Sequence, residues 1–225
     1  MKRFILTASA GLLAAAMALP SFAADLPRPA YKAPVYVAPF SWSGFYVGIN
    51  GGYGWGKSDW TFAATSFSTG DFDVKGGLVG GTLGYNLQTG HWVWGIEGDF
   101  DASWIKGTES VFCATPGCET SNTWLATARA RVGYAWDRWM PYITGGAAFG
   151  DIKMTTPASA SESETKVGWT AGLGVEYAFL GAWSAKLEYL YADLGEATCS
   201  TPTCVPDIDV TFKTNIVRVG LNYRF

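Results

Sequence analysis

Charge is scarce in this sequence. Only 16% of its 225 residues are Asp, Glu, Lys or Arg, where a soluble domain usually carries about 25%. The formal net charge is −3 and no basic run interrupts the chain. That excludes nucleic acid as a partner, because phosphates are neutralised by clustered cations. Long apolar runs are absent too. Past residue 23, nothing approaches the roughly 20 consecutive apolar residues of a membrane-spanning helix. If the chain crosses a membrane, it does so as strands. Histidine occurs once, at His91, and cysteine four times.

What is abundant is glycine (28) and the aromatics, with 11 Trp, 11 Tyr and 13 Phe. The start of the chain stands apart. Lys2 and Arg3 precede an apolar run from Phe4 to Leu19, then Pro20 and the small-x-small step Ser21-Phe22-Ala23. This reads as a signal peptide over 1–23, cleaved after Ala23. Residues 24–43 follow as a linker, with four prolines between Asp25 and Ser41 that disfavour ladder pairing.

From 44 to 225 the chain alternates. In Asp209–Phe225, Val217, Val219, Leu221, Tyr223 and Phe225 share one face, and Thr214, Arg218, Gly220, Asn222 and Arg224 the other. Period two is the mark of a strand, whose successive side chains point opposite ways. Seven earlier segments repeat the pattern: Gly44–Gly56, then 75–88, 91–105, 122–136, 139–153, 165–179 and 182–193. Short connections near Gly90, Asp137 and Gly181 alternate with longer ones at 57–74, 106–121, 155–164 and 195–208. An antiparallel meander gathers each kind at one end.

Which face looks outward follows from three features. The polar face is mostly Gly, Thr, Ala and Asn, which suits a narrow barrel interior; a water-facing exterior would carry many Lys and Glu. Aromatics recur at both ends of the apolar stripes. Trp92, Trp94, Trp136, Tyr177, Phe179, Tyr223 and Phe225 lie near the tight turns. Trp55, Phe100, Trp104, Trp124, Trp169 and Tyr191 lie towards the long connections. Two such belts fit two membrane interfaces. Each segment also reaches the about 9–11 residues that a tilted strand needs to cross hydrocarbon. With no water in the bilayer core the sheet must close, so the eighth strand must pair with the first. The expected fold is all-β: a closed eight-stranded antiparallel up-and-down transmembrane β-barrel. The competing reading is a soluble barrel with its apolar face inward.

Several stretches carry a family resemblance: Trp42–Gly56 (WSGFYVGINGGYGWG), Arg129–Gly150, Gly168–Phe179, Leu187–Gly195 and Val217–Phe225. They are similar to the small outer-membrane surface antigens of alphaproteobacteria, the porin-family or outer-membrane immunogenic proteins with an OmpA-like transmembrane barrel. The resemblance covers nearly all of 24–225. It implies a bacterial outer-membrane location, contact with outer-membrane lipid and lipopolysaccharide, and a structural or surface-antigen role. It brings no shared catalytic motif and implies no cofactor, although some relatives are described as haem-binding. Tyr223-Arg224-Phe225 resembles the terminal signal read by the outer-membrane assembly machinery, with Tyr223 and Phe225 carrying it.

Charged residues fall on the inward face. Glu97, Asp99 and Asp101 share the third strand, and Arg129 and Arg131 the fourth. Glu176, Lys186, Glu188, Arg218 and Arg224 lie on the last three. These predict ion-pair ladders between neighbouring strands that fill the lumen; the alternative is a selective solute path. The spacing of Asp99 and Asp101 is that of a strand and needs no glycosidase pair or metal to explain it. His91 sits beside a tight turn, so no nucleophile–histidine pair can form near the long connections. Its position also argues against His-ligated haem at the outer surface, leaving Tyr or Met as ligands. No catalytic residues, cofactor or metal are expected.

Cys113 and Cys118 lie in one long connection, and Cys199 and Cys204 in another. In a secreted chain these predict disulfides. The expected pairs are 113–118 and 199–204. Pairing of 113 with 199 and 118 with 204, or a four-thiolate zinc site, stays open. Small-solute transport and binding of host or extracellular ligands through the loops are the alternatives to a structural role.

Overall fold

In a computed structural model, the described residues are 40–62, 67–68, 72–109, 118–155, 161–199 and 208–225. Residues 1–39, and with them the signal peptide and most of the linker, lie outside these.

Among the described residues every regular element is a strand: β1 (Gly44–Phe62), β2 (Phe67–Ser68), β3 (Phe72–Thr89), β4 (Trp92–Glu109), β5 (Cys118–Tyr134), β6 (Trp139–Thr155), β7 (Ser161–Leu180), β8 (Trp183–Cys199) and β9 (Ile208–Arg224). β2 is a two-residue piece paired with the end of β1. The other eight form one antiparallel meander, and β9 pairs with β1 along seventeen residue pairs from Tyr46↔Arg224 to Phe62↔Ile208. The ring is closed and every barrel strand has two neighbours, as backbone satisfaction in lipid demands.

The ring is also staggered. Pairing followed from Gly44 through Asn86, Gly95, Arg131, Thr144, Gly172, Leu190 and Ile216 returns to Gly54, ten residues further along β1. A stagger of this size tilts the strands by about 35–45° and leaves eight strands an interior that side chains can fill. Two of the tight turns are two-residue hairpins in which Gly90 (φ 63°) and Gly181 (φ 52°) take the left-handed conformation such turns need. Asp137 (φ 53°) does so in the third.

The barrel strands run to 17–20 residues, longer than the sequence segments. At about 3.3 Å per residue and this tilt they rise roughly 40–54 Å, well past an apolar band about 25 Å tall. Much of 57–74, 106–121, 155–164 and 195–208, expected as loop, is therefore strand.

The outward face is the apolar one. Val219 (61% exposed), Trp169 (53%) and Leu221 (41%) face out, whereas Arg129 and Glu188 are buried. The lumen has three layers. At the tight-turn end Trp42 packs with Val93, Ala135, Met140, Tyr142 and Ala178. Trp42 donates its indole N–H to the Asp137 carbonyl (3.2 Å), and its backbone amide to Gln88 Oε1 (2.7 Å). Residues 40–43 thus belong to the barrel as a cap, which moves the expected linker boundary back from 43. The middle layer is ionic. The third, towards the long connections, is apolar and includes Phe72, Val74, Ile105, Ile152, Leu194, Val210 and Phe212. The sequence reading, which took the whole inward face as polar, missed this layer.

Candidate functional site: the ionic layer of the lumen

Strand register starts the network. Glu97 on β4 stands opposite Arg129 on β5, Glu176 on β7 opposite Lys186 on β8, and Glu188 on β8 opposite Arg218 on β9. The closest contacts then cross the lumen. Arg129 reaches Glu97 (2.5 Å) and Asp99 (2.6 Å) on its own side, and Glu188 (2.9 Å) on the far wall. Arg131 bridges Glu176 (2.6 Å) and Glu97 (3.2 Å). Lys186 turns from Glu176 to Glu97 (3.1 Å). Arg218 binds Glu188 (2.6 Å), Asp99 (3.0 Å) and Asp101 (3.1 Å). The sequence predicted ion-pair ladders inside the barrel; the contacts run on from these into one web joining opposite walls. Pattern reading reaches neighbouring strands only, so the cross-lumen pairs were invisible to it.

Arg224 does not join this web. It is half-buried at the tight-turn end, with its guanidinium 4.3 Å from the Phe40 ring centroid. Burial is otherwise near complete, with Glu97, Asp99, Asp101, Arg129, Arg131, Glu176, Lys186, Glu188 and Arg218 all at most 5% exposed. Charges so placed persist only when paired and hydrogen-bonded.

Neutral groups complete the pairing, and the sequence reading did not single them out. Tyr46 donates to Glu97 (2.7 Å) and Tyr142 to Glu188 (3.1 Å). Thr82 and Thr127 donate to Asp99 (2.8 and 2.7 Å), and Ser184 and Asn222 to Glu176 (2.6 and 2.9 Å). The Arg131 guanidinium lies between two rings, 4.4 Å from the Tyr142 centroid and 5.5 Å from that of Tyr46. Each tyrosine lies over a glycine on the next strand. A Cβ at Gly84 would meet the Tyr46 ring at 2.3 Å, and one at Gly174 the Tyr142 ring at 2.6 Å. Their inward register, shared with Glu97 and Arg131, was the available signal.

The remaining expected site residues lie elsewhere. Tyr223 and Phe225 face outward beside the β1–β9 seam, their rings 5.4 Å apart. His91 stacks on Tyr134 at the tight-turn end, its Nδ1 3.2 Å from the Ala135 carbonyl oxygen. Cys118 opens β5 and Cys199 ends β8. Cys113 and Cys204 lie outside the described residues, so the expected disulfides do too.

Comparison with known proteins fixes the setting. The model of the outer membrane protein beta-barrel domain matches residues 8–225. The chain belongs to this family. It is 40% identical to the 31 kDa outer-membrane immunogenic protein of Brucella melitensis, over 95% of this chain and 97% of that one. It is 34% identical to the 25 kDa outer-membrane immunogenic protein of Brucella abortus, over 91% of both. Identity is also 34% to the 22 kDa outer membrane protein of Rhizobium leguminosarum bv. viciae, over 87% and 83%. Like other members of the family, the protein is an integral β-barrel of the bacterial outer membrane. Barrels of this kind place short turns in the periplasm and longer loops outside, so Trp42 caps the periplasmic mouth.

Proposed function

We propose that this barrel works as a closed structural element of the envelope that presents an external surface, without an open solute path. One observation carries the reading: the nine charges of the ionic layer are almost wholly inaccessible. A water-filled channel would leave them wetted. The apolar layer above and the Trp42 cap below add two dry constrictions.

The same reading takes the protein as non-enzymatic. Its single histidine lies at the periplasmic turns, far from any surface where an outer-leaflet substrate would meet a nucleophile. The outward Tyr223–Phe225 pair is what the assembly machinery would grip, and external ligands would meet the connections outside the described residues.

Planar-bilayer recording tests the closed lumen. Folded protein is expected to give no steady unitary openings. Stable ohmic steps in the unmodified chain, abolished by Arg129→Ala, would replace the structural reading with a porin.

A further inference from the structure

The external ends of the strands are not equally paired. β5 and β6 stay together to Glu119↔Thr155, β6 and β7 to Thr155↔Ser161, and β1 and β9 to Phe62↔Ile208. β7 and β8 part much lower. Their last pair is Trp169↔Asp193, at the external aromatic belt, where lipid gives way to water. Beyond it, residues 161–168 of β7 have β6 on one side and, among the described residues, no strand on the other. Residues 194–199 of β8 likewise keep only β9.

A bulge separates the two strands. Gly168 still lies too close to Asp193 and Leu194 to admit a Cβ. Leu194 and Gly195 then stand together against Phe212 of β9. Gly195 takes φ 73° and donates its amide to Asp193 Oδ1 (2.9 Å). A left-handed glycine at a bulge bends its strand, and from here β8 follows β9 and leaves β7.

The slot between them shows on the lumen side. Glu164 and Lys166 face inward on β7, yet their side chains are 40% and 22% exposed. Ile152, which stands opposite Glu164, and Val210 and Phe212 on β9 are at most 1% exposed. Lys166 Nζ pairs with Glu164 Oε1 (2.8 Å). The other oxygen, Oε2, is shut off from solvent and has no hydrogen-bond partner among the described residues.

An open strand edge presents alternate N–H and C=O groups and is a template for another strand. Hydrocarbon would not tolerate it; beyond the belt it is accessible. The β7 edge spans about 26 Å and has no proline to block pairing. In sequence the two edges, 161–168 and 194–199, hold three glutamates and one lysine.

We propose that the β7 edge docks an extended segment of an extracellular protein, which adds to it as a strand and sets an arginine or lysine against Glu164 Oε2. The acidic edges and the oxygen without a donor select a basic partner. A second copy does not fit. Upright in the same membrane, its β7 would run parallel to this one and stand Glu164 beside Glu164. The site rests on the external surface of the reading above and not on the closed lumen, so docking and conductance are tested separately.

The probe is a capped peptide of about eight residues, alternating threonine and valine, with one central valine replaced by arginine. It is titrated to millimolar against the folded full-length chain in phosphatidylcholine nanodiscs. Hydrogen exchange is expected to slow at 161–168 on binding and to stay unchanged at the periplasmic ends of β1 and β9. Peptides with alternate backbone nitrogens methylated, in either phase, should include one that binds about tenfold or more weakly. Glu164→Gln should weaken the arginine peptide about fivefold to tenfold and leave a glutamine-bearing peptide within about twofold. Heat-modifiable gel mobility reports folding of the variant. Absence of binding at millimolar peptide, equal binding of all the methylated peptides, or equal binding by Glu164→Gln and the unmodified chain overturns the site. So does full protection of 161–168 before peptide is added, which would mean that the chain covers this edge itself. Dimers of the peptide-free chain that the peptide dissociates would make a second copy the occupant and overturn it as well.

Discussion

Each strand of this barrel passes through two regions with opposite rules. Within the membrane belt of β9, Val217, Val219 and Leu221 face out while Arg218 and Asn222 face in. Near the external end of the same strand, Lys213 and Thr211 face out while Val210 and Phe212 face in. β3 reverses likewise: Asp73 and Lys75 outward, Phe72 and Val74 inward. The backbone and its pairing are continuous across the change. Only the surroundings differ. Where lipid covers the wall, charges retreat to the lumen and must find one another there. Where water covers it, the lumen reverts to the apolar core of a soluble barrel.

The largest effect expected to break this comparison is in the ionic layer. Arg218→Ala leaves Asp101 without a cation and Glu188 and Asp99 with Arg129 alone, and should cost about 3–5 kcal/mol, read as a lower urea midpoint for the vesicle-inserted barrel. Lys213→Ala, five residues away on the wetted face, should change it by under about 0.5 kcal/mol. Similar losses from both would mean that the lumen charges are solvated after all.

Next in size is a charge placed on one face in the two regions. Val219→Arg sets a guanidinium against acyl chains and should cost about 2–4 kcal/mol. Thr211→Arg puts the same group in water and should be nearly silent by the same measurement. If Thr211→Arg proves equally costly, the boundary between lipid and water lies further out than the polarity reversal places it.

The smallest effect concerns packing. Ile216→Val opens a void in the external apolar layer and should cost about 0.5–1.5 kcal/mol. Ile143→Val on the lipid face leaves a gap that mobile chains refill, with a loss within about 0.5 kcal/mol. Unfolding titrations of the pair distinguish a packed upper lumen from a loose one.

Much of this was legible in the sequence, and the losses have physical causes. Strict alternation in Val217–Phe225 and its counterparts gave the strands, their outward face and the closure of the ring. The charged members of the ionic layer were also legible, since Glu97 and Arg129 share inward parity on adjacent strands. The strand ends were not. Once polarity reverses, a segment such as Thr211-Phe212-Lys213 alternates in the opposite phase and breaks the pattern that defines the strand lower down. Arg224 has inward parity but sits at the mouth, with its guanidinium over the Phe40 ring. Trp42 looked like the end of a proline-rich linker because its partners, Gln88 at the end of β3 and Asp137 in a turn, lie far along the chain.

The seam between β1 and β9 has a kinetic consequence. Its partners are separated by 146 residues at Phe62↔Ile208 and by more at every other pair. No partial product of synthesis that lacks β9 can shut the wall, because β9 completes it and follows the other seven barrel strands. Such distant pairing makes insertion slow, and until the seam zips, an open margin of amides and carbonyls must be shielded from hydrocarbon by something other than the barrel.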